Sequence, residues 1–231
     1  MIALVTSTLS PNGAYTHFTP QQRLEQTLVT ISKLQGVGFQ QIYLFDNSVD
    51  DSVYRIKTHF PEVHISHQQQ YTFANKGLNE ALLILNNLHQ LPAGVPIFKI
   101  SGRYYPVAGF DKNIWLSNAG KDIIGFGTDF NKAVANFSTR AYFIKDKALL
   151  EDILVLAIED MLAYSKGVYG LRSFLNMLQS LFKPHLGSRY QLSLEQAFAR
   201  IIRQKYNYHL VNRLYIEGYV AGARHLDLIT E

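Results

Sequence analysis

The sequence contains no cysteine, which excludes disulfide bonds, thiolate metal sites and a cysteine nucleophile. It also has no run of eighteen apolar residues, and its first segment, MIALVTSTLSP, lacks the basic residues and the long apolar stretch of a secretion signal. We therefore expect a cytoplasmic protein. Its chemistry has to use carboxylates, histidines, hydroxyls or cations.

Charged residues are scarce, at 17% of 231 residues, whereas 47% are hydrophobic, which is ample for the core of one domain. The net charge is +4, yet the 22 basic residues are scattered and form no basic helix, so we do not expect a nucleic-acid partner. A positively charged pocket or a membrane-facing patch accounts better for this balance. The eight histidines form no His-x-Glu-x-x-His motif, and no metal site is predicted from them.

Short β-rich segments alternate with amphipathic helical segments over the first hundred residues. The predicted strands are IALVT (2–6), QIYLF (41–45), EVHIS (62–66) and VPIFKI (95–100). A helix follows the capping box of Thr19 and Gln22, a short helix is predicted over 53–59, and a third helix buries Leu78, Ala81, Leu82, Leu85 and Leu88. This alternation predicts an α/β fold with a Rossmann-type, mainly parallel sheet flanked by helices.

Polar residues follow three of the predicted strands directly. Open parallel sheets bind ligands at the carboxyl ends of their strands, near the switch in strand order. The sequence therefore predicts a ligand site at that edge, with candidate residues Thr6, Thr8, Asp46, Asn47, Ser48, Ser101, Gly102 and Arg103. For Asp46 a second interpretation stays open, in which the side chain caps its own turn.

Several of these segments resemble the GT-A fold family of nucleotide-sugar glycosyltransferases. LFDNSVDDS resembles the end of the family's second strand, and FANKGLNEALLIL resembles the entry to the helix before its metal-binding strand. FKISGRYYP, with TSTLSP, RLEQTLVTI and SLEQA, resembles a divergent bacterial and viral branch more narrowly.

The resemblance implies one GT-A-like domain over 1–231, with a nucleotide-binding half (1–106) and a more helical acceptor-side half (107–231). It implies that acidic residues such as Asp46 hold the donor nucleotide. Asn75 and Lys76 are further donor contacts on this basis, although Asn75 is equally a helix N-cap and Lys76 a solvated charge.

The chain departs from the family at the end of the fourth strand. Most GT-A enzymes carry an Asp-x-Asp motif there for a divalent metal, whereas this chain has Ser101, Gly102 and Arg103. Mg²⁺ and Mn²⁺ need oxygen ligands, so we predict no metal ligands and no required cofactor, although neither metal is excluded. We expect Arg103 to stabilise the leaving diphosphate and Gly102 to let the backbone approach it closely. Alternatively, Arg103 pairs with a local carboxylate and Gly102 only makes a turn.

An inverting transferase needs a general base, and the resemblance points to Glu195 in SLEQAFARII. The competing interpretation is that Ser193 and Gln196 form a capping box and Glu195 complements the helix dipole. Asp129, Glu159 and Asp160 are alternative acids, and a retaining mechanism, which would not need this base, stays open.

Helices are also predicted at 147–165, 171–183 and 193–206. The segment LRSFLNMLQSLF, followed by KPHLGSRY, combines apolar and basic residues. It is compatible with peripheral contact at the inner face of the membrane, with a homodimer contact or with buried packing.

The resemblance, together with these residues, implies a transferase that moves a sugar from a nucleotide-sugar donor to a glycan or lipid-linked acceptor in polysaccharide or surface glycan biosynthesis. The alternative is a GT-A-like protein that binds a nucleotide or glycan without turnover. A nucleotidyltransferase is less favoured, because TSTLSPNGAYTHF carries one glycine and no cation after the first strand.

Overall fold

The computed structural model describes residues 1–12, 17–67, 70–73, 75–118, 120–132, 135–165, 192–219 and 228–231. Its strands are β1 (Ile2–Ser7), β2 (Ile42–Asp46), β3 (His64–Ser66), β4 (Ile97–Ser101), β5 (Tyr104–Pro106), β6 (Ile123–Thr128), β7 (Asn136–Ile144), β8 (Tyr208–Val211), β9 (Ile216–Tyr219) and β10 (Leu228–Thr230). Its α-helices are α1 (Pro20–Gly36), α2 (Lys76–Asn87), α3 (Ile114–Ser117), α4 (Lys147–Ser165) and α5 (Leu194–Lys205). Segments Asp51–Thr58 and Leu88–Gln90 are 3-10 helices.

Seven strands form one mixed sheet in the order β3-β2-β1-β4-β7-β6-β8. The neighbours from β3 to β4 are all parallel, as predicted, and β7 runs antiparallel to both β4 and β6. Strand β1 lies between β2 and β4, so the strand order switches direction there. The predicted α/β fold with a mainly parallel sheet is confirmed.

Two apolar clusters cover the two faces of this sheet. One cluster joins α2, α4 and α5 to residues such as Ile97, Phe137 and Tyr142. The other joins α1 and the first 3-10 helix to residues such as Val5 and Phe98. A small antiparallel sheet, β10-β9-β5, adjoins the second cluster through Tyr104 and Ile216.

Several predictions at this level need correction or fall outside the described residues. The short helix after β2 is a 3-10 helix over Asp51–Thr58, and strands β8, β9 and β10 were not predicted. These strands have only three or four residues, which is too short for a local periodicity to mark them, and β8 and β9 also pair with the sequence-distant strands β6 and β5. The helix predicted at 171–183 and the segment considered for membrane or dimer contact lie outside the described residues.

Within the part of the chain that the structure describes, no helix is both long and apolar enough to cross a membrane.

Candidate nucleotide-binding site

A cavity of about 480 Å³ lies at the carboxyl ends of β1, β2 and β4, where the strand order switches. Most of the sequence-predicted ligand residues line it together, namely Thr6, Thr8, Asn47, Lys76, Ser101, Gly102 and Arg103. The polar residues that follow three different strands therefore meet at one edge of the sheet, as the parallel topology requires. Asp46, Ser48, Asn75 and Glu195 are not part of this lining.

Three cations line the cavity: Arg23, Lys76 and Arg103. Among the described residues, none of them forms an ion pair with a carboxylate. Partial desolvation lowers the pKa of Lys76, and the charges of Arg103 and Arg23 lower it further. Burial is also the main cause of the lowered pKa of Arg103. A cavity with this unbalanced positive charge is suited to an anionic ligand.

Arg23 is the most enclosed of these cations, with only 7% of the residue exposed. It extends from the first turns of α1, and its Nη1 donates to the carbonyl oxygen of Thr8 at 2.9 Å. Its buried Nε has no hydrogen-bond partner among the described residues. Burial and the nearby charge of Arg103 lower the pKa of Arg23 to about 10, partly opposed by Asp46, so Arg23 stays charged at neutral pH.

Arg103 lies in the turn between β4 and β5, and no described carboxylate forms an ion pair with it. Its described hydrogen bond is a long one, from Nη1 to the carbonyl oxygen of Tyr219 at 3.4 Å. Of the two interpretations of this residue, the local ion pair is not found among the described residues. Most of the guanidinium donors thus have no hydrogen-bond partner among the described residues.

Gly102 lines the cavity, and its two backbone polar groups are hydrogen-bonded within the protein. Its amide N–H donates to the carbonyl oxygen of Thr6 at 2.8 Å, and its own carbonyl accepts from Thr27 Oγ1 at 3.0 Å. Both backbone groups are therefore used inside the protein and do not face a phosphate. The glycine is needed because the turn packs closely against α1 and Ser7.

Asp46 lies behind the cavity and is completely buried. Its Oδ2 accepts from the hydroxyl of Ser7 and from Leu9 N, and its Oδ1 accepts from Ser48 N at 2.9 Å. Ser48 is also completely buried, and its hydroxyl oxygen accepts from Leu9 N at 2.7 Å. The geometry favours the alternative interpretation, in which Asp46 caps its own turn and joins the loops after β1 and β2.

Two asparagines clamp the irregular segment 70–73 along the cavity. Asn47 accepts from Tyr71 N and donates to Tyr71 O, both at 2.7 Å. Asn79 accepts from Phe73 N at 2.9 Å and donates to Phe73 O at 2.8 Å. Each side-chain amide thus makes the two backbone hydrogen bonds that a neighbouring strand would otherwise make. The exposed ring of Phe73 lies at the cavity wall.

A buried polar network crosses the sheet beside the cavity. Glu80 Oε1 accepts from Thr6 Oγ1 at 2.6 Å and from the ammonium of Lys99, which is only 1% exposed. Lys99 also donates to the carbonyl oxygen of Thr139, whose hydroxyl donates to Glu195 at 3.2 Å. The network therefore connects a cavity-lining carboxylate to the predicted base.

Glu195 lies in the first turn of α5, and its catalytic role stays a prediction. The capping box of Ser193 and Gln196 is present, as the alternative interpretation required. The preceding residue, Leu194, packs so closely on Gly77 that a Cβ added at Gly77 would lie 2.6 Å from Leu194 Cβ. The start of α5 thus abuts the start of α2, next to the cavity-lining Lys76.

The other predicted positions have local roles. Asn75 caps α2, because its Oδ1 accepts from Gly77 N and Leu78 N. Asp129 pairs with Lys132 at 2.7 Å on the surface, and Asp160 pairs with Arg200 at 3.2 Å. None of these three residues lines the cavity.

Sequence analysis missed Arg23, Phe73 and Glu80. For Arg23 a signal existed, because it precedes Thr27 and Thr30 at spacings of four and seven residues, on a face of α1 that is buried. Glu80 follows Lys76 by one helical turn, on the side of α2 that faces the sheet edge. Phe73 carries no such signal, because segment 70–73 has no regular structure.

The described residues that line the cavity include one carboxylate, Glu80, and three cations, a set that does not fit a hard divalent cation. Searched over the described residues, the chain shows no group of three acidic or histidine side chains that could hold a metal ion. At the strand end where GT-A enzymes carry Asp-x-Asp, the structure presents a guanidinium, which repels a cation.

No protein-family model and no curated protein matches this chain. Among solved structures, it is similar to the nucleoside-diphosphate-sugar pyrophosphorylase from Vibrio cholerae RC9, with a TM-score of 0.53 and 10% identity over 92% of this chain and 93% of that one. Weaker likenesses are a 4-diphosphocytidyl-2C-methyl-D-erythritol synthase from Anaerococcus prevotii (TM-score 0.47, 12% identity, 91% and 88% covered) and an active-site mutant of LgtC (0.47, 8%, 77% and 70%). At such identities the first likeness shows the fold alone, and that fold is the α/β fold predicted from the sequence.

Proposed function

We propose that this protein is a glycosyltransferase that binds a nucleotide sugar in the 480 Å³ cavity and transfers its sugar to a glycan or lipid-linked acceptor. The observation that carries the proposal is the group of Arg23, Lys76 and Arg103, which line one cavity without a carboxylate partner among the described residues. A diphosphate is an anion of the size and charge that this group can bind.

Diphosphate stabilisation in this proposal uses the side-chain cations in place of a metal ion. When the bond between the sugar and the diphosphate breaks, the leaving phosphate oxygen gains negative charge. Guanidinium groups donate several hydrogen bonds to phosphate oxygens, and they act strongly in a desolvated pocket. Arg103 and Arg23 would hold the two phosphates, with Lys76 adding charge at the cavity entrance.

In the proposed inverting reaction, an acceptor hydroxyl attacks the anomeric carbon while the carbon–oxygen bond to the diphosphate breaks. The nucleoside diphosphate departs with the electron pair, and the hydroxyl proton passes to Glu195. The position of Glu195 at the start of α5, against the start of α2, supports this assignment. The product would belong to polysaccharide or surface glycan biosynthesis.

A nucleotidyl transfer reaction is the second candidate, and Arg23 is the observation that favours it. The sequence argued against this chemistry because the loop after β1 carries no cation. The structure brings Arg23 onto that loop through its hydrogen bond to Thr8 O, so the loop has a cation after all. Phosphates of a nucleoside triphosphate could bind there as well.

The first test is thermal denaturation with nucleoside diphosphates and sugar nucleotides, in EDTA and in Mn²⁺. We expect one nucleotide to raise Tm in EDTA, and Arg103→Ala and Arg23→Ala to abolish that gain. Arg55→Ala is the matched control, because Arg55 is exposed and outside the cavity. Stabilisation only in Mn²⁺ would overturn metal-free binding, and no stabilisation by any nucleotide would overturn the proposal.

Turnover then separates the candidate reactions. Release of a nucleoside diphosphate from the sugar nucleotide, lost in Glu195→Gln, supports glycosyl transfer. Pyrophosphate release from a nucleoside triphosphate and a sugar 1-phosphate would instead show nucleotidyl transfer. Binding of a nucleotide with release of neither product would favour the alternative prediction, a protein that binds a nucleotide or glycan without turnover.

A further inference from the structure

Glu80 has no role in the reaction proposed above. Among the described residues that line the cavity, it is the one acidic residue. Both of its described hydrogen bonds, from Thr6 Oγ1 and from Lys99 Nζ, fall on one oxygen, Oε1. The other oxygen, Oε2, has no hydrogen bond to any described residue, and 22% of the side chain is exposed. One carboxylate oxygen is therefore anchored to the protein, and the other remains available in the cavity.

The anchor is a lysine inside the sheet. Lys99 projects from the middle of β4 and is 1% exposed, and its ammonium also donates to Thr139 O. A buried ammonium loses much hydration free energy. The charged form of Lys99 is stable inside the sheet because its hydrogen bonds to Glu80 and Thr139 O compensate that loss. The carboxylate is thereby fixed on the face of α2 that lines the cavity, one helical turn from Lys76.

We infer that Glu80 binds a hydroxyl group of the ligand, so that the cavity recognises a molecule carrying both an anionic group and a hydroxyl. The inference rests on the proposed nucleotide-sugar site. A phosphate cannot lie against a carboxylate, because the two anions repel each other. A hydroxyl donates to a carboxylate oxygen in a strong, charge-assisted hydrogen bond.

The hydroxyl can come from the ribose or from the transferred sugar, and both offer the same chemistry. The two sources differ in the probe that reveals them. A ribose contact makes the 2′-deoxy or 3′-deoxy nucleoside diphosphate bind more weakly than its parent. A sugar contact makes the glucose conjugate bind more tightly than the nucleoside diphosphate alone.

The test measures the dissociation constants of these probes by calorimetry for wild type and two variants. Glu80→Gln removes the charge but leaves Lys99 unpaired, so Glu80→Gln combined with Lys99→Met is the second variant and removes both charges of the pair. Glu151→Gln, at an exposed position on α4, is the matched control. Circular dichroism and Tm show whether each variant is folded.

We expect wild type and control to distinguish at least one hydroxyl by about tenfold, and both Glu80 variants to lose that distinction. Affinity for the probe that lacks the recognised hydroxyl should be unchanged or higher in Glu80→Gln, since the negative charge of Glu80 is gone. A structural role alone would weaken all probes equally, and that result would overturn the inference. Unchanged hydroxyl discrimination in the folded double variant would also overturn it while leaving the proposed function intact, whereas a wild type that binds no nucleotide would overturn both.

Discussion

Thr27 and Gly102 fix the turn that carries the cavity cation Arg103. The Thr27 hydroxyl donates to Gly102 O at 3.0 Å, and a Cβ added at Gly102 would lie 3.0 Å from that same hydroxyl and 3.2 Å from Ser7 Cβ. Thr30 repeats the contact one turn later, with a hydrogen bond to Tyr104 O at 2.9 Å. Helix α1 is thus joined to the β4–β5 turn by side chains on its buried face.

Gly102→Ala should therefore displace the turn. The added methyl group would lie closer to Thr27 and Ser7 than the ordinary van der Waals distance. We therefore expect a loss of about 1–3 kcal/mol in the free energy of unfolding and weaker binding of the proposed nucleotide. Gly36→Ala is the control, because a Cβ there meets nothing within 4 Å. Urea denaturation measures both variants, and equal stability of the two would contradict the close packing at Gly102.

Asp46→Ala should destabilise the protein more than it affects ligand contacts. The substitution leaves the buried Ser48 N without its acceptor and removes the carboxylate that accepts from the Ser7 hydroxyl, which costs about 2–4 kcal/mol. Asp50→Ala removes an exposed N-cap to Ser52 and should cost only about 1 kcal/mol. A stable Asp46→Ala that has lost nucleotide binding would instead restore the predicted ligand contact of Asp46.

Phe73 should provide a stacking surface for the nucleobase of the proposed ligand. Its backbone is held by Asn79, and its exposed ring lines the cavity. We expect Phe73→Ala to weaken nucleotide binding about tenfold with little change in Tm, since base–aromatic stacking contributes about 1–3 kcal/mol. Phe73→Tyr should bind normally.

Asn79→Ala tests whether the clamp, and not only the ring, is required. It leaves Phe73 in the sequence but removes both hydrogen bonds to the backbone of Phe73, so binding should weaken by a smaller factor than in Phe73→Ala. The exposed Asn86 on the same helix offers the control substitution Asn86→Ala. Full affinity in Asn79→Ala, measured by calorimetry, would show that the segment needs no clamp.

The affinity for a diphosphate should fall at alkaline pH because of Lys76. In the protein its pKa is lowered from the ordinary lysine value of 10.5, mainly by desolvation, and the proposed diphosphate would bind the protonated form. The contribution of Lys76 is therefore complete below this lowered pKa and is lost as pH rises above it. Lys76→Arg keeps its charge at higher pH and should retain affinity there. Parallel pH profiles for wild type and Lys76→Arg would exclude Lys76 as a diphosphate contact.

Local sequence signals predicted much of the secondary structure correctly. The capping boxes of Thr19 with Gln22 and of Ser193 with Gln196 are present, and α1 ends at Gly36 as expected. Such signals involve residues within one helical turn of each other, so they do not depend on the rest of the fold. Strands β1, β2 and β4 were also predicted from local sequence, because each is a continuous apolar run.

The buried face of α2 was predicted only in part from the sequence. Periodicity predicted a face of Leu78, Ala81, Leu82, Leu85 and Leu88, whereas the structure buries Ala81, Leu83, Ile84, Asn87 and Leu88. Helix α2 packs on the sheet and also beneath α4 and α5, so its apolar residues are covered from more than one direction. A sequence rich in leucine on several sides does not by itself say which side meets the sheet.

The sequence by itself determined the alternation of strands and helices, the edge of the sheet where polar residues gather and the replacement of the expected Asp-x-Asp by a motif with Arg103. Only the tertiary structure decided that Arg23 joins Arg103 in one cavity, that Asp46 turns inward and that Lys99 holds Glu80. Hydrogen-bond caps and periodicity act between neighbours in the chain. Charge balance and burial depend on residues tens of positions apart, and these meet only when the sheet and its helices have packed.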